Sequence, residues 1–159
     1  MAWVKKLVAK PVLPTPAPPA AEALLDSNVL LYALSGAPEE RPKRECAAGL
    51  IAHENFGTSY QILMETWVVA TRKLARPIKE ARVAAFLERI LVFPCVPGTP
   101  DLYRRGVRLA QRYGIHPHAG AILAAAQELG AQTVYSEDLS HSQTYDGVKV
   151  VNPFHGLAA

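Results

Sequence analysis

Hydrophobic and polar positions follow two patterns along the chain, and together they predict strands separated by helices. Strands are predicted for the apolar run EALLDSNVLLYAL, which one acid interrupts, and for FGTS, FPCVP, QTVYSED and VKVVNPF. Apolar residues at helical spacing predict helices in PEERPKRECAAGLIAHE, YQILMETWVVATRKL, IKEARVAAFLERIL and DLYRRGVRLAQRYG. This alternation predicts an α/β domain with a central, mainly parallel sheet flanked by helices.

A further helix, apolar nearly all round, is predicted for AILAAAQEL and ends before Gly130. Where its N-cap is expected, the chain has His118, Ala119 and Gly120 instead of Ser, Thr, Asp or Asn. Alanine is a poor N-cap and costs about 1 kcal/mol relative to Asp or Asn. The pattern therefore raises the question of which residue type belongs at position 119.

Composition and charge fit one domain with a substantial core, since 50% of the 159 residues are hydrophobic and 19% are charged. Lys5, Lys6 and Lys10 precede the first acid, Glu22, so the rest of the chain carries 14 bases and 14 acids. The net charge of +3 thus belongs to the N-terminal segment and does not indicate a generally basic nucleic-acid binder.

The first 21 residues, MAWVKKLVAKPVLPTPAPPAA, are predicted to form a flexible, Pro-rich arm ahead of a folded domain at 22–157. They resemble a signal peptide, but Lys10 and several prolines interrupt the apolar core, which argues against export. No apolar run reaches the roughly 18 residues that a membrane span requires. Two cysteines without metal spacing favour a reducing compartment, so we expect a cytoplasmic protein without membrane contact.

Three acids stand in unusual places. Asp26 interrupts an apolar run, Glu65 is the only acid in ILMETWVVA, and Asp138 follows a predicted strand. A buried charge is costly unless it is paired or bound to metal, and ligands bind at the carboxyl ends of parallel strands. Taken singly, each acid also has a plain structural explanation, as a turn cap, an ion-pair partner or the start of a loop.

Four segments in order resemble the PIN-domain family, and in particular the VapC-like ribonuclease toxins of toxin–antitoxin pairs. They are LLDSNVLLYAL, SYQILMETWVVATRK, YGIHPHAGAILAAAQELG and YSEDLSHSQTYDGVKVVNPF, and the resemblance covers roughly residues 23–154. It implies a PIN-like fold and an active site of four acids. In chain order, the first, second and fourth acids of the family match Asp26, Glu65 and Asp138. The third acid of the family is replaced here by Ala119.

Carboxylates that converge repel one another unless hard cations lie among them, and oxygen-only ligands select Mg²⁺ or Mn²⁺. The resemblance implies metal-dependent endonucleolytic hydrolysis of RNA. Asp26 and Asp138 would coordinate the metal, and Glu65 would coordinate through water or orient the attacking water. The remaining predicted site residues are Asn28 and Ser136, which would aim the carboxylates, and Arg72, Lys73 and Arg76, which would contact RNA.

Loss of the acid at position 119 is predicted to leave the chain inactive or crippled. The alanine has two explanations: an introduced substitution that silences a toxic nuclease, or a naturally degenerate member of the family. The presence of every other motif residue favours the first explanation.

The family resemblance further implies a homodimer silenced by a small VapB-like antitoxin. Two other functions stay open: a nonenzymatic module that binds RNA or antitoxin, and a structure-specific DNA nuclease. Arg104, Arg108 and Arg112 recur on one helix face, either as phosphate contacts or, as we favour, as a solvated surface. The pair His116 and His118 lacks the further ligands that a zinc site requires.

Overall fold

The computed structural model describes residues 20–157. The arm predicted for residues 1–21 therefore lies outside the described residues, apart from its last two. Ala20 donates a backbone hydrogen bond to the carbonyl of Leu129 at 2.8 Å, and Ala21 is fully buried. The last two residues of the predicted arm, Ala20 and Ala21, thus already contact the domain.

Within residues 20–157, six strands form one sheet in the order β3-β2-β1-β4-β6-β5. All neighbours pair in parallel except β5, which pairs antiparallel with β6. The strands are β1 (Ala23–Leu25), β2 (Phe56–Ser59), β3 (Cys95–Val96), β4 (Thr133–Tyr135), β5 (Thr144–Tyr145) and β6 (Val148–Val151). The helices are α1 (Ser27–Leu34), α2 (Arg41–His53), α3 (Tyr60–Val68), α4 (Glu80–Ile90), α5 (Pro100–Tyr113) and α6 (Pro117–Leu129). The predicted α/β class with a mainly parallel sheet is confirmed.

The predicted strand at 22–34 was wrong beyond its first residues. β1 ends at Leu25, and Asp26 then acts as the N-cap of α1, since its side chain accepts a hydrogen bond from the Ser27 N–H. An Asp followed by Ser is a strong helix start, and this local signal outweighs the apolar continuity of the segment. The polypeptide therefore turns from strand to helix at the acid itself.

The other helix predictions are confirmed with small shifts. A 3₁₀ turn (Pro38–Glu40) precedes α2, and a π-helical turn (Val69–Lys73) continues α3. Helix α5 ends at Gly114, whose φ of 65° is the left-handed conformation that glycine adopts readily. The short strand β5 was not predicted, because two residues carry too little pattern.

Helix α6 begins earlier than predicted, and the expectation of a missing cap at residues 118–120 was wrong. Its N-cap is His116, whose ring Nδ1 accepts a 3.2 Å hydrogen bond from the His118 N–H, and Pro117 is the first helical residue. Proline is favoured there because its fixed φ suits the helix start. Ala119 is thus the third residue of the helix, so its consequences are chemical and not a matter of capping.

The first turn of α6 is held against α5 by two glycines. A Cβ built on Gly120 would lie 2.1 Å from the carbonyl oxygen of Gly106, so the two helices pack backbone to backbone. Behind this contact α6 contributes several residues to the main hydrophobic core, among them Ile122 and Leu123. The position of Ala119 is therefore fixed by the close packing of the next residue.

Among residues 20–157, no helix is both long and apolar enough to cross a membrane.

Candidate active site

Asp26 lies at the carboxyl end of the central strand β1 and is only 2% exposed. Its Oδ1 accepts a 2.7 Å hydrogen bond from the Ser27 N–H, and its Oδ2 accepts one of 2.7 Å from the Ser136 hydroxyl. Ser136 directly follows β4, which pairs with β1 in parallel. The sheet therefore brings these two residues together at one edge.

Burial raises the pKa of the Asp26 carboxyl from 3.8 to about 6, although hydrogen bonds from Ser136 and Ser27 lower it. The negative charges of Glu65 and Asp138 raise the pKa further. The Asp26 carboxylate is therefore close enough to both other predicted acids for electrostatic repulsion between them. A group destabilised by burial and by like charges is typical of a functional site.

Asn28 and Ser136 link the two aspartates. The Asn28 Nδ2 lies 3.4 Å from Asp26 Oδ2, 3.2 Å from Asp138 Oδ2 and 3.3 Å from Ser136 Oγ. Ser136 Oγ also accepts a 3.1 Å hydrogen bond from the Asp138 N–H. Four of the predicted site residues are thus joined in one hydrogen-bonded network.

Glu65 projects from α3, which packs against α1. Its side chain is half-buried, and its carboxylate has neither a hydrogen bond nor an ion pair within residues 20–157. An acid that is partly removed from water and lacks a protein partner is suited to binding a cation or a water molecule. Its charge reaches Asp26, as the raised pKa of that residue indicates.

Ala119 borders the same region. Gln61, one turn before Glu65 on α3, donates a 3.4 Å hydrogen bond to the carbonyl of His118, the residue before Ala119. The half-buried Ala119 therefore lies next to the residue through which the start of α6 contacts Gln61 of α3. The first turn of α6 contains no acid.

Two of the basic residues predicted to bind RNA, Arg72 and Lys73, are exposed on the π-helical turn that continues α3. Neither has an acidic partner among the described residues. Arg76 instead lines a cavity of about 660 Å³ beside Ser35 and Arg82. Ser35 follows the C-terminal end of α1, whereas Asp26 caps its N-terminal end, so the structure does not bring Arg76 together with the acids.

The arginines of α5 divide into two sets. Arg105 pairs with Asp101 and Glu128, and Arg112 pairs with Asp146. Arg104 and Arg108 are exposed, without an ion pair in the part of the chain that the structure describes. Two arginines of this helix therefore form structural ion pairs, and two face solvent.

Sequence reasoning missed a group of three side chains beside Asp138. The Tyr32 hydroxyl donates a 2.9 Å hydrogen bond to Glu137 Oε1. Lys43 Nζ donates to the Tyr32 oxygen at 2.8 Å and to Glu137 Oε2 at 3.3 Å. The available signals were weak: Glu137 adjoins Asp138, and Tyr32 follows Asn28 by one helical turn.

The donor chemistry of the site fits a hard divalent cation. Within residues 20–157, no three His, Cys, Asp or Glu side chains stand close enough together to hold a metal ion by themselves. Mg²⁺, however, is commonly held by one or two carboxylates, with water and substrate phosphate as its other ligands. Asp26 and Asp138, which share the Asn28 amide, supply such a pair.

These features define an α/β domain with an acidic site at the carboxyl edge of its sheet. A family model for the PIN domain matches residues 23–147. The chain belongs to the PIN domain family, and the family resemblance of the four sequence segments is confirmed.

Solved structures show the same fold at low sequence identity. VapC20 from Mycobacterium tuberculosis, a sarcin-ricin loop cleaving toxin, is 18% identical with a TM-score of 0.60, covering 80% of this chain and 98% of that one. A toxin–antitoxin complex from Klebsiella pneumoniae contains a chain 23% identical with a TM-score of 0.59, covering 82% and 97%. VapBC2 from Rickettsia felis, bound to a promoter DNA fragment, is 14% identical with a TM-score of 0.54, and the match covers 80% of this chain and 96% of that one. No curated protein matches the chain.

Proposed function

We propose that this protein is a metal-dependent endoribonuclease toxin of a toxin–antitoxin pair, impaired by the alanine at position 119. One observation carries the proposal: Asp26, Asn28, Ser136 and Asp138 form a single network at the sheet edge, within reach of the charge of Glu65. Membership of the PIN domain family supports a nuclease. The likeness to a toxin that cleaves the sarcin-ricin loop supports RNA as the substrate.

The residues of the site have different proposed roles, which follow from their positions. Asp26 and Asp138 would hold Mg²⁺ or Mn²⁺, while Asn28 and Ser136 fix the direction of both carboxylates. When bound, the cation supplies a Lewis acid for the scissile phosphate and an acidified water. The Glu65 carboxylate, which has no partner among the described residues, would orient the attacking water and accept its proton. Arg72 and Lys73 would bind the phosphates of the RNA.

The alanine at position 119 removes a carboxylate that the PIN resemblance places in this set. Loss of residues that merely orient metal ligands commonly costs about 10–100-fold in affinity or activity, and loss of a ligand should cost at least as much. We therefore propose that the chain binds metal weakly and turns over slowly or not at all. An introduced substitution and natural degeneration would both give this behaviour.

Partners are proposed by the same reasoning. The related folds from Klebsiella pneumoniae and Rickettsia felis were solved in toxin–antitoxin assemblies. We propose a VapB-like antitoxin as the partner of this chain, a homodimeric state and a cytoplasmic location.

The decisive experiment restores the acid with Ala119→Asp and measures cleavage of structured RNA with Mn²⁺ and, separately, with EDTA. Cleavage should appear or rise at least about tenfold with Mn²⁺ and be abolished by EDTA. His118→Asp is the matched control, because it adds an acid to the same turn in another direction. Continued inactivity of Ala119→Asp would contradict the assignment, and cleavage of flap DNA in preference to RNA would indicate a DNA nuclease.

A nonenzymatic binding module is the second candidate, favoured by the alanine itself. Such a module would bind RNA or antitoxin without a specific Mn²⁺ site. Calorimetric titration with Mn²⁺ separates the two candidates, since only the nuclease should show saturable binding that Asp26→Asn abolishes.

A further inference from the structure

Tyr32, Lys43 and Glu137 form a cluster, here called the Glu137 clamp, that the proposed chemistry does not use. Both oxygens of Glu137 are engaged, Oε1 by the Tyr32 hydroxyl at 2.9 Å and Oε2 by Lys43 Nζ at 3.3 Å. The Lys43 and Glu137 side chains are 23% and 26% exposed, so the ion pair is partly shielded from water. The clamp holds a carboxylate that directly precedes Asp138 in the chain.

Only the side-chain amide of Asn28 lies between the backbone N–H of Glu137 and the two aspartates of the acid site. The Glu137 N–H donates a 3.4 Å hydrogen bond to Asn28 Oδ1, and the Nδ2 of the same side chain contacts Asp26 and Asp138. Tyr32 lies one turn after Asn28 on the same face of α1. That face therefore holds the Asp138 carboxylate with Asn28 and the Glu137 carboxylate with Tyr32, side by side.

The clamp is anchored by three parts of the fold. Tyr32 belongs to α1 and Lys43 to α2, and the Tyr32 ring packs edge-on against Phe154 with ring centres 4.7 Å apart. Lys43 Nζ lies 2.8 Å from the Tyr32 oxygen and 4.5 Å from the centre of its ring. Removal of Lys43 would thus release one end of Glu137 while leaving the aromatic packing in place.

We propose that Lys43 is a positioning residue that withholds Glu137 from the acid site and so sets how many carboxylates a divalent cation meets there. The inference rests on the proposed function, because it requires a cation to bind at Asp26 and Asp138. With Lys43 in place, a cation must displace an opposite charge from Glu137; once Lys43 is gone, it competes only with the Tyr32 hydroxyl for that carboxylate. The ion pair is partly exposed and contributes little stability, so the expected gain in cation affinity is modest. In a chain with alanine at position 119, the released carboxylate replaces part of the missing charge.

A double-mutant cycle tests the proposal by electron paramagnetic resonance of free Mn²⁺, which measures affinity without any turnover. The variants are Lys43→Met, Glu137→Gln and the pair combined. Lys43→Met should bind Mn²⁺ about fivefold more tightly than the parent. With Gln at position 137, removal of Lys43 should change affinity by no more than about twofold, because only the lost repulsion remains.

Two further variants separate positioning from structure and from general charge. Lys43→Arg keeps the cation and should retain the parental affinity. Lys149→Met removes the same charge from an exposed lysine on β6, outside the clamp, and should leave affinity unchanged. Circular dichroism checks that each variant is folded.

Each remaining outcome overturns the inference in a distinguishable way. Equal tightening with Glu and with Gln at position 137 would mean that Lys43 acts only through its charge. Weaker binding by Lys43→Met would mean that the clamp serves folding alone. Absence of saturable Mn²⁺ binding in every variant would overturn the proposed metal site together with the inference.

Discussion

The Ser136 hydroxyl donates a 2.7 Å hydrogen bond to Asp26 Oδ2, joining two residues 110 positions apart in the chain. The Ser136 Oγ also accepts a hydrogen bond from the Asp138 N–H at 3.1 Å. One fully buried hydroxyl thus orients both aspartates of the site. Asn28 contacts the side chains of both aspartates, whereas Ser136 joins the Asp26 carboxylate to the Asp138 backbone, and Ser136 is the target for mutation here.

Ser136→Ala should weaken Mn²⁺ binding by about 10–100-fold, because the Asp26 carboxylate loses a hydrogen bond that aims it and the Asp138 N–H loses its acceptor. It should also lower the free energy of unfolding by about 1–3 kcal/mol, since buried polar groups lose their partner. Calorimetry and urea denaturation measure the two effects. Ser140→Ala, at an exposed serine in the following loop, should change neither quantity. Parental Mn²⁺ affinity in Ser136→Ala would contradict the proposed role of the hydroxyl.

The raised pKa of Asp26 makes the metal-free protein less stable as pH rises. Its pKa is about 6 in the folded state against 3.8 ordinarily, so between these values the folded state holds more protons than the unfolded chain. Stability from this group is therefore complete below pH 3.8, falls through that window and is level above about pH 6. At about 1.4 kcal/mol per pKa unit the loss is about 3 kcal/mol.

Asp26→Asn is the variant that isolates this effect, because asparagine carries no titrating proton. Urea denaturation in EDTA at a series of pH values should show a decline in stability for the parent that the Asp26→Asn variant lacks. Saturating Mn²⁺ should remove the decline in the parent by binding the ionised form. Parallel pH profiles for parent and variant would show that Asp26 titrates normally.

Several features of this site were predictable from the sequence, and others depend on tertiary structure. Asp26 and Asp138 follow buried strands, and parallel strands place their carboxyl ends at one edge, so their convergence was predictable. The extent of β1 was not, since the apolar pattern continues unchanged from strand into helix and only Asp26 and Ser27 indicate the turn. Pro117 likewise indicated the true start of α6 more reliably than the Ala-rich segment did.

The Glu137 clamp could not have been predicted. Lys43 and Glu137 are 94 positions apart, and Tyr32 and Glu137 are 105 apart. Their contact depends on how α1 and α2 pack beside β4, and no residue spacing encodes that packing. Charge pattern gave no help either, because Lys43 lies between Arg41 and Arg44 at the start of α2, and such a charged segment is ordinarily a solvated surface.

Glycine substitutions test the packing that fixes the start of α6. Gly120→Ala should destabilise the protein by about 1–3 kcal/mol, because its Cβ would lie 2.1 Å from the Gly106 carbonyl oxygen and force the helices apart. Gly49→Ala is the matched control in α2, where an added Cβ meets nothing within 4 Å. It should stabilise the protein by about 0.5–1 kcal/mol, as alanine favours the helix. Thermal denaturation distinguishes the two signs, and equal effects would contradict the helix contact.

Arg72 and Lys73 provide the test of the RNA-binding surface. Both are exposed on the turn that continues α3 and have no acidic partner among residues 20–157. Each phosphate contact to a single strand contributes about 0.7 to the slope of log affinity against log salt. Replacing both residues by alanine should therefore weaken RNA binding in EDTA and lower the slope by about 1.4, measured by fluorescence anisotropy. The pair Arg89→Ala and Lys149→Ala removes the same charges from exposed positions on α4 and β6. An equal loss in this control pair would mean that RNA responds to net charge and not to this surface.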